Sequence, residues 1–116
     1  MDDSIEKLTN SICAFRDARD WKEFHNPKEM AVAIAAEAGE LLQHFVWQSA
    51  SQSQDRIKDR QSDIASGMAD IALLLLEMAS NCNIDLPSAI RSKLARNEER
   101  YPVEKAKGSN KKYNEL

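Results

Sequence analysis

The stretch MADIALLLLEMASN, Met68 to Asn81, decides the fold. Between Asp70 and Glu77 every residue from Ile71 to Leu76 is apolar, so a helix drawn here is hydrophobic on all sides. Such a helix belongs at the centre of a bundle or at a subunit interface. The apolar run is far short of the roughly 20 residues that span a bilayer, and no membrane association is expected.

Outward from this segment the chain reads as helix throughout. It contains only three glycines and three prolines, with few β-branched or aromatic runs. On the amino-terminal side, QSASQSQDRIKDRQSD (Gln48 to Asp63) is polar and serine-rich, which predicts a loop feeding the apolar helix. Before it, Asn26 is placed to cap a helix with Pro27 at its first position and Glu29 set for a capping box; this helix is expected to run to about Trp47. A first helix is expected over Ser4 to Arg19, where Ile5, Leu8, Ile12 and Phe15 recur at helical spacing, with Asp17 to Asn26 as its connector. On the carboxy-terminal side, Asp85 caps a fourth helix, LPSAIRSKLARNEERY, and Pro102 ends it. The expected architecture is all-α, of four-helix-bundle type, in a single domain over residues 1–116 with 102–116 as a polar, irregular tail.

A formal charge of −3 and a pI near 5.4 give no general attraction for a nucleic acid polymer or an anionic membrane. Cys13 and Cys82 have no knuckle spacing, so neither a metal site nor a disulfide framework is indicated. The acidic start MDDSIEKLTN lacks the basic and apolar regions of a secretory signal, and a cytoplasmic location is expected.

Chemistry concentrates in AIAAEAGELLQHFVW, Ala33 to Trp47. Met30, Ile34, Leu41 and Phe45 form one apolar stripe at helical spacing, and Glu37 falls in its middle. Glu40, three residues on, points into the same space. A carboxylate in a dry core takes up a proton or acquires a partner. Two explanations follow: the glutamates pair with neighbouring Lys or Arg, or they bind a hard cation such as Mg²⁺. Asp70 interrupts the apolar helix in the same way, so acids on two core helices could face one another.

EAGELLQHFVW, MADIALLLLEMA and CNIDLPSAIRSKLARNEERYPVEKAKGSNKKY resemble the MazG-like all-α nucleoside triphosphate pyrophosphohydrolases, particularly the small dCTP pyrophosphatase branch. The resemblance implies an E-x-x-E pair on one helix and E-x-x-D on another, binding Mg²⁺ and the triphosphate. Glu37 and Glu40 match the first pair and would also serve catalysis, and Asp70 matches the aspartate of the second. Gly67 stands where the second motif has its glutamate, and Gln43 where many relatives carry another acid. Asp63 is a candidate substitute acid; it shares Asp70's face but lies about 10 Å away along the axis. Glu77, one heptad after Asp70, is expected to be a polar partner within the bundle or a subunit contact.

Lys93, Asn97 and Arg100 share one face of the fourth helix. The resemblance matches them, with Tyr101, to K-x-x-x-N-x-x-R-Y-P, implying phosphate contacts for Lys93 and Arg100 and base or sugar contacts for Asn97 and Tyr101. Lys111 and Lys112, followed by Tyr113, resemble a substrate-closing segment with further phosphate contacts. Trp47, seven residues after Glu40, would continue its face past His44 and stack on a base. Trp21, Phe24 and His25 match a loop that helps to enclose the base.

The function implied is Mg²⁺-dependent cleavage of a nucleoside triphosphate, a dCTP-like pyrimidine substrate, to the monophosphate and pyrophosphate by a homodimer or homotetramer. Two alternatives differ in kind. In one, Gly67 has weakened or disabled catalysis and the protein binds or senses nucleotides; in the other, the chain is a structural, partner-binding helical protein whose acids only form ion pairs.

Overall fold

A computed structural model describes residues 4–116; the first three residues of the acidic amino-terminal segment lie outside the described residues. Among the described residues there are helices and turns but no strand. The chain forms two compact units, Met1–Asn83 and Ile84–Leu116.

In the first unit, α1 (Ile5–Asp17), α2 (Pro27–Gln43) and α3 (Ala50–Asp59) all pack on α4 (Gln61–Asn81), with α2 as its most extensive partner. The all-round apolar segment is therefore the central element. Met30 of α2 and Ile64 and Ala79 of α4 are buried. Among the described residues no helix is long and apolar enough to cross a membrane.

Local signals explain where most elements begin. The Ser4 side chain accepts from the Lys7 amide at the start of α1. At α2, Asn26 Oδ1 accepts from the Glu29 amide at 2.9 Å, and Pro27 fills the first turn, where no amide donor is needed. The Glu29 carboxylate does not complete the expected box; it pairs with Lys28 Nζ at 2.8 Å instead.

The segment from Gln48 to Asp63 departs from the loop expected of it. Ser49 and Gln52 exchange reciprocal bonds: the Gln52 amide donates to Ser49 Oγ at 3.1 Å, and the Ser49 amide donates to Gln52 Oε1 at 2.8 Å. This capping box satisfies two free amide donors and starts α3. α2 is also shorter than expected. That helix ends at Gln43 rather than near Trp47, residues 44–47 form a turn, and Trp47 takes a left-handed conformation with φ 65°.

The second unit holds α5 (Leu86–Arg100), capped as expected by Asp85, whose Oδ1 accepts from the Ser88 amide at 3.1 Å. The tail is not wholly irregular. Pro102 precedes a one-turn helix α6 (Val103–Ala106), Gly108 turns the chain at φ 77°, and Tyr113–Glu115 form a 3₁₀ turn. Tyr113 packs edge-on against Tyr101 with ring centroids 6.1 Å apart, and the Arg100 guanidinium lies 4.7 Å from the Tyr113 ring centre. The count of helices thus exceeds the four expected from the sequence.

Candidate functional site

Glu37 and Glu40 project from α2, and Asp70 from α4, the two helices that pack most closely. The Glu37 carboxyl is half-buried. Burial pushes its pKa above the ordinary carboxylate value, the charges of Glu40 and Asp70 add to the shift, and a hydrogen bond with Glu40 completes it. The three acids therefore share one electrostatic field. Among the described residues, none of them has a lysine or arginine within ion-pair distance. No ion pair accounts for Glu37 or Glu40 among the described residues.

Oxygen donors without cationic partners are chemically suited to a hard cation. They are not gathered into a finished cage: among the described residues no three His, Cys, Asp or Glu side chains are disposed to hold an ion by themselves. Mg²⁺ does not require such a cage, since it commonly uses one or two carboxylates together with substrate phosphates and water. Gly67 lies in α4 against α2; a Cβ placed there would meet Leu41 Cδ1 at 3.8 Å, an ordinary contact. The backbone at position 67 therefore accommodates a Cβ.

Beside the acids runs an open groove of about 540 Å³, lined by Glu40, Gln43, His44, Arg56, Arg60 and Asp63. Asp63, the candidate substitute acid, is thus brought to Glu40's side of the site, where its carboxylate stands 4.0 Å from Arg60 Nη1. Arg56 and Arg60 are hidden in a serine-rich stretch whose composition reads as a loop. The Ser49-x-x-Gln52 pattern was the signal that could have revealed them.

The aromatic residues divide. Trp47 does not continue the face of Glu40, because α2 has already ended; it is 96% exposed in the turn that follows. Trp21 packs edge-on against Phe15 at 5.8 Å, and Arg19 covers the Phe15 ring at 3.7 Å. His25 is tied down: its Nδ1 lies 2.7 Å from Glu77 Oε2, which also accepts from Asn81 Nδ2 at 3.1 Å. Arg16 Nη1 donates to Asn81 Oδ1 at 2.6 Å and stands 3.8 Å from Glu77. Glu77 is therefore the polar partner within the bundle that its position suggested. Through this buried cluster the Trp21–His25 segment is anchored to α1 and α4, and Arg16 and Asn81, unremarked in the sequence, complete it.

In the second unit Lys93, Asn97, Arg100 and Tyr101 lie along and just beyond α5. The contact of Tyr113 with Arg100 and Tyr101 folds the tail back, so Lys111 and Lys112 are held close in sequence to that aromatic contact.

The MazG-like family pattern matches residues 32–116, which include Glu37 and Glu40 of α2, all of α4 and all of the second unit. The chain belongs to the MazG-like family. This MazG-like chain is 33% identical to mouse dCTP pyrophosphatase 1 over 97% of its own length and 68% of that protein. The human dCTP pyrophosphatase 1 is 31% identical over the same shares. The fold is similar to that of a pyrophosphatase from Archaeoglobus fulgidus, with a TM-score of 0.81 and 33% identity over 84% of this chain and 91% of that one.

Proposed function

We propose that this MazG-like protein is a Mg²⁺-dependent nucleoside triphosphate pyrophosphohydrolase that converts a dCTP-like pyrimidine nucleotide to its monophosphate and pyrophosphate. The observation that supports this most directly is the common field of Glu37, Glu40 and Asp70, three acids from two packed helices without a cationic partner among the described residues. These three would hold the cation, which when bound neutralises phosphate charge and favours in-line displacement. One glutamate of the pair orients the attacking water and accepts its proton. Water adds to the α-phosphorus, the bond to the bridging oxygen breaks, and pyrophosphate leaves.

Lys93, Arg100, Lys111 and Lys112 are proposed as phosphate contacts, in keeping with the motifs that carry the resemblance. Trp47 presents a whole indole face to solvent and is proposed to stack on the base. Trp21, Asn97 and Tyr101 are proposed to bound the base and sugar. The His25 ring already engages Glu77, so its share in base binding is to hold the segment that carries Trp21.

Gly67 favours a second reading, in which nucleotides bind but turn over slowly or not at all. Pyrophosphate release across the common dNTPs during a Mg²⁺ titration, run beside calorimetric binding, separates the cases. Mg²⁺-dependent release with a pyrimidine preference is the expected result. Binding without release would favour the sensing role, and absence of both would favour a structural one.

A further inference from the structure

The groove at the α3–α4 junction carries positive charge that the proposed reaction has not yet used. Arg56 is half-buried, and its Nε donates to the His44 carbonyl at 2.9 Å, which fixes the guanidinium against the end of α2. No other hydrogen bond or ion pair engages Arg56 among the described residues, so both Nη groups remain for a ligand. Arg60 follows one helical turn later and lines the same groove. Its approach to Asp63, at 4.0 Å, is too long for a well-formed hydrogen bond.

Charge balance suggests the ligand. With Gln43 neutral, the charged lining is two carboxylates, Glu40 and Asp63, and two guanidinium groups, Arg56 and Arg60. A purely cationic ligand would be repelled by one half of this wall and a simple anion by the other. A polyphosphate fits both, its cation-associated portion beside the acids and its free oxygens on the arginines. Guanidinium groups match phosphate oxygens in paired, charge-assisted bonds.

We propose that Arg56 and Arg60 hold the terminal phosphates of the triphosphate, and the departing pyrophosphate, in this groove. The assignment rests on the hydrolase reading only for the identity of the ligand. Inorganic pyrophosphate with Mg²⁺ is therefore the probe, measured by calorimetry on the full chain, with a pyrimidine nucleoside monophosphate as the comparison. Arg56→Gln and Arg60→Gln are each expected to weaken pyrophosphate binding by about tenfold or more, the worth of a lost charge-assisted hydrogen bond, and to leave monophosphate binding unchanged. Arg56→Lys should restore part of the loss.

Arg56 also tethers α2, so thermal melting accompanies each variant. Should Arg56→Gln fail to fold, the exposed Arg60→Gln decides the matter alone. Pyrophosphate that does not bind the wild type, binds the variants equally well, or weakens in step with the monophosphate would overturn the assignment. Failure of dNTP hydrolysis with arginine-dependent pyrophosphate binding intact would instead sink the hydrolase reading and leave this one standing.

Discussion

The proposed site lacks at position 67 the glutamate that the resemblance implies, and α4 accommodates a Cβ there. Gly67→Glu should raise turnover and lower the Mg²⁺ concentration needed, because an added oxygen donor joins Glu37, Glu40 and Asp70. Removing a glycine from a helix interior should also stabilise the fold by about 1 kcal/mol when Mg²⁺ is present to offset the added negative charge. Unchanged or lower activity at full stability would mean that the site works through other groups. Glu37 permits a second test. Its raised pKa means that the folded protein holds this proton more tightly than the unfolded chain does. The associated stability is present below the unfolded value and is lost as pH rises through the higher folded one. Metal-free protein should therefore melt lower as pH climbs through the upper carboxylate range, and Glu37→Gln should flatten that slope and melt higher at neutral pH. A slope that survives the substitution would remove Glu37 as its cause. Glu37, Glu40 and Asp70 were legible in the sequence because each interrupts an apolar pattern. Their mutual field was not, because it depends on how two helices pack.

At the scale of elements, caps were readable where one residue announces them, as at Asn26 and Asp85, and α3 was lost where composition overruled a pattern. Serine and glutamine suggested a loop, yet Ser49 and Gln52 together satisfy donors that neither could satisfy alone. Ser49→Ala should cost about 1 kcal/mol in denaturant unfolding. It should also weaken pyrophosphate binding, since α3 carries Arg56; a stability loss without any change in binding would separate α3 from the groove. The buried cluster at the other end of α4 is more demanding. Arg16 and Glu77 are 4% and 3% exposed; deleting the carboxylate leaves Arg16 with Asp17 as its one counter-ion among the described residues and strips His25 and Asn81 of a shared acceptor. Glu77→Ala should cost on the order of 3 kcal/mol, against much less for Glu77→Gln, which keeps an acceptor for Asn81. Equal losses from the two would show that the charge, which both variants remove, governs the site rather than the acceptor that only Gln keeps. The sequence marked Glu77 as a bundle partner, but its mates come from α1, from His25 in the connector that follows α1 and from the next turn of its own helix. That juxtaposition belongs to the tertiary structure.

The whole molecule poses a problem of area. Met30, Ile64 and Ala79 are the only buried apolar side chains among the described residues. On α4, Ala65, Met68, Ala72 and Leu75 are exposed and recur at alternating three- and four-residue spacing, which forms a continuous stripe. On α2, Val32, Gly39, Leu42 and Val46 trace a similar outward line into the following turn, with Leu42 65% exposed. Covering a single Leu or Met completely is worth about 1.5–3 kcal/mol, so two such stripes left in water forgo much of the stability a chain of this size needs. A second copy offers matching apolar stripes, and we propose that the protein is at least a homodimer, with a homotetramer the fuller assembly. Its melting temperature should then rise with protein concentration, because only the folded state associates. Met68→Glu combined with Leu75→Glu should yield a slower-sedimenting species, abolish that concentration dependence and lower the melting temperature, while wild-type protein sediments as a dimer or larger. A wild type that sediments as a monomer at micromolar concentration, with a melting temperature indifferent to dilution, would require these stripes to be stable in solvent and would refute the assembly.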